Sequence, residues 1–534
     1  MSDQTITLAV IIIYFIIVIG VGYYFYHRST NLSDYILGGR SLNPYVTALS
    51  AQASDMSGWL LMGLPGSIYV AGMGEVWIGI GLAIGSYLAW LLIAKRLRIY
   101  SEKAKNSLTL SEYFENRFHD KSGWLRTVSA VIILFFFTIY VASGFVGAGN
   151  VFRIIFPDFS YTVAMIIGAV VVISYTFLGG FRAVCWTDLL QALLMIFAII
   201  LVPLAVINDL GGWDTTMDIL DNMMSEGTIP DHFTSLFYDN GESIAIATVI
   251  SCLAWGLGYF GMPHVVVRYT AIKNPKDLKI SRRVATIWMV ICLAAACVMA
   301  IVGRAYFPDE SALVGDNPEN IFISLADSLF PAALAAVIYS ALLAAIMSTA
   351  DSQLLVASGA VSNDLYNRLF KKKADDKKLM WIARGVVIVI AVIAALLALD
   401  RDGAIMDLVS YAWAGFGAAF GPAVILSLFW KKTNAKGVIW GMLTGFVTII
   451  LWNTFLISGG IIAGGDWCIF DTGLYELVPG FLFSLIVTIA VSLYTGGADE
   501  EVQKEYEDYE AAVADPDWGS DPEVTGPQTK LKDQ

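Results

Sequence analysis

Thirteen stretches of mostly apolar sequence divide this chain, and their length decides the fold class. They fall at roughly 6–27, 44–70, 74–94, 125–150, 161–179, 188–207, 243–263, 284–306, 321–360, 381–399, 404–430, 437–457 and 475–495. About 20 helical residues cross the hydrocarbon core of a bilayer. No water is present there to satisfy backbone groups, so each crossing segment must bond within itself. Composition agrees: 57% of the 534 residues are hydrophobic and 15% charged, against about 25% charged in soluble domains. The expected architecture is an all-α, multi-pass protein of the cell membrane with about thirteen transmembrane helices and the lipid bilayer as its solvent. The first stretch, Ile6 to Phe25, has no small-residue cleavage site after it and reads as a retained helix, not a signal peptide. The stretch 321–360 is long, and its end is expected to protrude or bend.

Basic residues set the orientation, because loops rich in Lys and Arg stay cytoplasmic. With the N-terminus outside, the inner loops hold Arg28 and Arg40, Lys95 to Arg126, Arg182, Arg268 to Arg283, Arg368 to Arg384, and Lys431, Lys432 and Lys436. Only Arg153, Arg304 and Arg401 then face out. The expected topology is therefore N-terminus outside and C-terminus cytoplasmic. The outer loop 208–242, with eight acids and no Lys or Arg, reads as a solvated cap. From Asp499 onward twelve acids stand against three Lys. That tail is polar, lacks periodicity and is expected to be disordered. The chain then divides into a first helix and linker (1–43), a ten-helix core (44–430), two further helices (431–496) and the acidic tail (497–534).

Within the second stretch, Ser50-Ala51-Gln52-Ala53-Ser54-Asp55-Met56-Ser57-Gly58-Trp59 is out of place. Five of its ten residues are Ser, Asp or Gln. An ionisable residue at mid-membrane costs roughly 2.5–3.5 kcal/mol on insertion scales and usually lines a cavity or ion path. Gly58, Gly63, Pro65 and Gly66 add helix breaks. Two readings follow: a broken helix whose freed carbonyls bind a cation, or a polar kink satisfied by its neighbours. Transporter folds often repeat such a break in an inverted second half. The seventh stretch supplies one, Trp255-Gly256-Leu257-Gly258-Tyr259-Phe260-Gly261-Met262-Pro263. Breaks in spans two and seven fit two repeats of five.

The ninth stretch places Ala341, Ala345, Ser348, Thr349 and Ser352 on one helical face. That face is either a close-packing surface or a source of hydroxyl ligands for sodium, a hard cation suited to oxygen. Asp188 heads the sixth span as an N-cap or as a functional acid, and Asp351 is another intramembrane acid. Trp59, Tyr140, Trp255 and Tyr259 offer rings to a compact substrate, or simply pack.

Other classes lack their signatures. The chain has no phosphate-binding loop, no HExxH and no GxSxG, so it reads as no enzyme, and energy must come from an ion gradient. The five Cys show no metal spacing and the four His are scattered. Charge and burial exclude nucleic acid, and no obligate protein partner is evident. A sensor would need an appended signalling domain, and a passive channel would need no ion coupling.

The chain resembles the solute:sodium symporters over about residues 6–495. The stretches that carry the resemblance are Asp34 to Leu42 (DYILGGRSL), Ser54 to Gly66 (SDMSGWLLMGLPG), Trp186-Thr187-Asp188, Trp255 to Gly261 (WGLGYFG), Met347-Ser348-Thr349 and Ser410 to Pro422 (SYAWAGFGAAFGP). The second of these is similar to the proline-transporting branch. The resemblance implies a LeuT-like 5+5 inverted repeat and sodium-coupled uptake of L-proline, with pantothenate or a sugar as alternative solutes. It implies a sodium site from the carbonyls of Ala53, Met56 and Ala345 and the hydroxyls of Ser348 and Thr349, with Asp55 needed for coupling. It places the substrate near Ser57, Trp59, Gly63, Tyr140, Trp255, Tyr259 and Pro263. In some relatives an acid matching Asp188 and hydroxyls matching Asp351 and Ser352 form an additional sodium site. Here Asp351 and Ser352 stand where the proline branch has Ser and Cys.

Overall fold

The computed structural model describes residues 2–26, 31–366, 376–399, 405–457, 461, 467–515 and 518. Arg28, the loop 367–375, Arg401 and the tail 519–534 lie outside the described residues.

Every expected apolar stretch is helical. Ten helices among the described residues are long and apolar enough to cross a membrane, or eleven if one bent pair counts as a single span. That pair is Ile246–Phe260 and Pro263–Ala271, which meet at 43°. Two further stretches are shorter as uninterrupted apolar helices, Trp59–Ala71 and Tyr161–Ser174. The first continues the expected second span, which stops at Asp55 and restarts at Trp59. The second runs through a kink at Gly180, whose φ of 64° only glycine adopts cheaply, into the helix that ends at Asp209. The expected stretch 321–360 is two helices, Ile321–Leu329 and Ala332–Gly359, parted at Phe330 and Pro331.

Packing explains why the breaks sit where they do. The helix Pro44–Asp55 lies against the helices that contain residues 180–209, 278–306 and 332–359. The irregular stretch Trp255–Phe260 lies against Val76–Leu88 and Ile405–Phe429. At the first of these contacts the backbones touch. A Cβ on Gly85 would come within 2.1 Å of the Gly256 carbonyl oxygen, so only glycine fits. The loop 208–242 is tied to the turn after the second span: Met73 N–H bonds the Phe233 carbonyl at 2.8 Å, and Asn240 N–H bonds that of Ala71 at 2.9 Å.

The tail differs from expectation. Residues Glu500–Ala514 form a helix with Val502, Tyr506, Tyr509 and Ala512 buried. Tyr509 stacks on Tyr100 at 4.0 Å, and the Tyr506 hydroxyl bonds the Leu428 carbonyl at 3.2 Å. Burial pushes the Tyr506 hydroxyl up to about 12, so it stays a neutral donor at physiological pH. Lys431 pairs with Glu507 at 3.1 Å, and His119 with Glu505 at 2.9 Å. Together with Glu501 these last two form the one His-containing cluster with metal-like spacing among the described residues, and it is partly exposed. The acids that made this segment look like a solvated tail occupy its outer face and its joints with the core.

Candidate functional site

The helix Pro44–Asp55 begins under an Asn43 cap and ends where Met56 takes φ −83° and ψ 85°. That turn frees the backbone of Ala53 to Ser57 from regular helical bonding. The Ala332–Gly359 helix runs alongside and presents its hydroxyl face. Ser348 Oγ donates to the Ala53 carbonyl at 2.7 Å and to the Ala345 carbonyl at 3.1 Å. Thr349 Oγ1 reaches the same two carbonyls at 3.4 and 3.2 Å. Four neutral oxygens from two helices thus converge, all buried. Met56 is buried beside them, with its N–H bonded to the Gln52 carbonyl at 2.9 Å. The structure therefore brings together the residues expected around sodium.

Asp55 is fully buried. One carboxylate oxygen, Oδ2, accepts a short hydrogen bond from the Tyr259 hydroxyl. Its backbone carbonyl accepts the Trp59 indole N–H at 3.0 Å. The two breaks, 204 residues apart in sequence, are joined here. Tyr259 stands edge-on to Trp413 at 5.0 Å. The Trp413 indole N–H donates to the Trp255 carbonyl at 2.7 Å. It passes over Gly258, where a Cβ would lie 2.1 Å from its nitrogen. Trp255 stacks on Tyr475 at 5.3 Å. Pro263 is the first residue of the second half-helix, a position that needs no N–H donor. Ser57 and Tyr140 are buried. Gly63 faces Met406, whose sulfur a Cβ there would meet at 3.2 Å. The predicted substrate residues therefore flank the two breaks. A cavity of about 740 Å³ between the first helix and Arg182 to Leu190 is separate from them.

The expected additional sodium site contains a cation already, and it is a side chain. Asp188 Oδ2 accepts from Ser50 Oγ at 2.6 Å and from Arg268 Nη2 at 3.3 Å. Arg268 also donates to Ser352 Oγ, and through Nε to Ser50 Oγ at 3.2 Å. Ser352 Oγ lies 3.2 Å from Asp351 Oδ1. Two expectations are corrected here. Asp188 is no N-cap, because the helix continues back through Gly180. Arg268 is no loop charge, because it lies in the helix Pro263–Ala271 and is fully buried.

Reading the sequence also missed Trp413 and Glu319. Trp413 lies inside a motif that carried the resemblance, but nothing local showed its target. Glu319 accepts the backbone N–H groups of Ile405 at 3.3 Å and Met406 at 3.0 Å. It thereby fastens the segment before Ile321 to the start of the Ile405–Phe429 helix, beside Gly63 and Gly66.

Two broken helices in matching positions, with convergent oxygens and aromatic rings at their breaks, define a membrane transporter of the secondary, gradient-driven class. The chain belongs to the sodium:solute symporter family, whose model matches residues 35–445. It is 43% identical over 514 residues to the sodium/proline symporter of Escherichia coli K12, covering 96% of this chain and 97% of that one. It is 43% identical over 495 residues to the high-affinity proline transporter PutP of Bacillus subtilis 168, covering 92% and 99%. Among solved structures, a substrate-bound outward-open Na+-coupled sialic acid symporter has the same fold. Its TM-score is 0.75 at 19% identity, with 93% of this chain and 99% of that one covered.

Proposed function

We propose that the protein imports L-proline across the cell membrane, driven by sodium and working by alternating access. The crossings number thirteen, with the N-terminus outside and the C-terminus in the cytoplasm. One observation carries the sodium reading: Ser348 and Thr349 share the Ala53 and Ala345 carbonyls across the first break. A hydroxyl proton rotates away at little cost, which leaves both hydroxyl and carbonyl oxygens for a hard cation. Sodium bound by Ala53, Met56, Ala345, Ser348 and Thr349 would tie spans two and nine together and preorganise the neighbouring break. Sodium and substrate then bind cooperatively, each raising the other's affinity equally.

The substrate reading rests on the aromatic residues at the two breaks and on relatives named for proline. A pyrrolidine ring would pack against Trp59, Tyr140, Trp255 and Tyr259, with Ser57 and Gly63 alongside. Its carboxylate suits the positive N-terminal end of the helix that starts at Pro263.

The test is uptake of radiolabelled L-proline by the purified protein in proteoliposomes. The expected outcome is accumulation only under an inward sodium gradient, lost when the gradient is collapsed. Uptake indifferent to sodium, or a preference for pantothenate or a sugar over proline, contradicts the proposal.

A further inference from the structure

The first helix, Asp3–Tyr26, does not close flush against the helix that follows Gly180. Between them lies the cavity of about 740 Å³, inside the roughly 300–1,000 Å³ of ligand pockets. Ile17, Val21 and Phe25 form one wall and Leu189 and Leu190 the other. We propose that this cleft is a phospholipid site, with one acyl chain along the first helix and the phosphate at Arg182. The proposal does not depend on which solute the protein carries.

Three observations carry this. The first is size. The lining runs along the first helix from Ile16 to Phe25, a rise of about 13 Å at 1.5 Å per residue. One leaflet of the hydrocarbon core is about 15 Å deep. The polar lining, Arg182, Ser41 and Asn43, comes from the joints between spans. Phe25 and Trp186 stack there at 6.3 Å, and Trp and Tyr favour the level of the headgroups. The second is charge. Arg182 Nε donates to the Gly38 carbonyl at 2.8 Å and Nη2 to Asp34 Oδ1 at 3.4 Å, long for a charged hydrogen bond. Its Nη1 has no hydrogen-bond partner among the described residues, and no acid among them lines the cleft. Guanidinium suits a phosphate. Asn43 spends its side-chain oxygen on the N–H groups of Tyr45 and Val46, which leaves its amide nitrogen as a further donor. The third is Gly20, which lines the cleft. A Cβ there would meet nothing within 4 Å. Glycine weakens a helix interior, and no close neighbour demands it here. Its effect is to keep the cleft open.

The cleft is not the gap beside an undocked helix. Gln191 Nε2 donates to the Tyr14 hydroxyl at 2.9 Å, and Ile11 and Val18 are buried. The opposite side is open: Ile16, Ile17 and Tyr24 are exposed, so a lipid can enter from the bilayer. An apolar helix of a second copy would cover Arg182 without matching its charge, whereas a phosphate matches it. A lipid seated here touches the first helix, the linker before Pro44 and the helix after Gly180, and so fastens three parts of the chain at once.

The test uses the full-length protein, delipidated in mild detergent, with bound lipid counted by native mass spectrometry. The probes are phosphatidylglycerol and a diacylglycerol with the same two chains but no phosphate. The wild type should hold one phosphatidylglycerol, and the diacylglycerol about tenfold more weakly, the size of a lost charged hydrogen bond. Arg182→Gln should weaken phosphatidylglycerol about tenfold and leave the diacylglycerol unchanged. Gly20→Leu fills the cleft and should weaken both lipids by about tenfold or more. Its melting temperature without lipid should not fall, so lost lipid is not lost fold. Equal affinity of the wild type for the two probes, or wild-type lipid binding in Gly20→Leu, overturns the proposal. So does displacement of the lipid by inorganic phosphate alone, or a dimer that Gly20→Leu abolishes in place of lipid binding. If Arg182→Gln does not fold, Gly20→Leu and the comparison of the two probes decide the matter.

Discussion

Two polar clusters lie along one face of the Ala332–Gly359 helix, a turn apart, and they meet the same broken helix in opposite ways. At Ala345, Ser348 and Thr349 every group is neutral and both hydroxyls can turn. At Ser352 the helix meets Arg268, which is already bound to Asp188 and Ser50. The first cluster offers oxygens without a charge, which suits the mobile cation proposed for it. The second carries its own cation on a tether. Arg268 lies against Asp188 there, so a second sodium would have to share that carboxylate with a guanidinium. A hydroxyl-lined helix face therefore does not by itself make an ion site: what stands opposite decides.

Removing the tethered cation should have the largest effect. Arg268→Gln leaves Asp188 buried without its partner, at a cost of roughly 3–5 kcal/mol. We expect poor yield of folded protein and a lowered melting temperature, with much of the loss recovered in the Arg268→Gln/Asp188→Asn double variant. Equal instability of single and double variants would break the comparison. Next comes the pocket. Trp255→Ala should raise the apparent proline constant by about 10- to 100-fold at fixed sodium, because an aromatic wall is lost. Sodium binding without substrate should be spared, and wild-type uptake constants would place the pocket elsewhere.

How much of this the sequence shows depends on whether the signal is local. The breaks at Asp55 and near Pro263 are legible, because Gly, Pro and polar residues inside apolar runs have few other uses. The Ser348–Thr349 face is legible from helical period alone. Arg268 is not, since a charge near the end of a span reads as a loop residue, and only the fold reveals Asp188 opposite it. The bond between Asp55 and Tyr259 spans two repeats and has no sequence signature. The docked tail helix did leave a trace: Val502, Tyr506 and Tyr509 repeat at helical spacing, outweighed in composition by the surrounding acids.

Smaller effects sharpen the first cluster. Ser348→Ala and Thr349→Ala should each raise the apparent sodium constant on the order of tenfold. Proline affinity at saturating sodium should change far less, and a reversed pattern would move sodium away from these hydroxyls. The smallest effect is expected far from both clusters. Tyr509→Ala removes one face of an aromatic stack, worth about 0.5–1.5 kcal/mol. Thermal unfolding of the purified protein should register it, with the sodium dependence of uptake unchanged.

The contrast between the clusters is tested most directly by counting ions. Sodium and proline fluxes measured together in proteoliposomes should give a ratio of one, unchanged by Asp351→Ser. A ratio of two that falls to one in Asp351→Ser would mean that the second cluster carries a transported sodium, and would contradict the account.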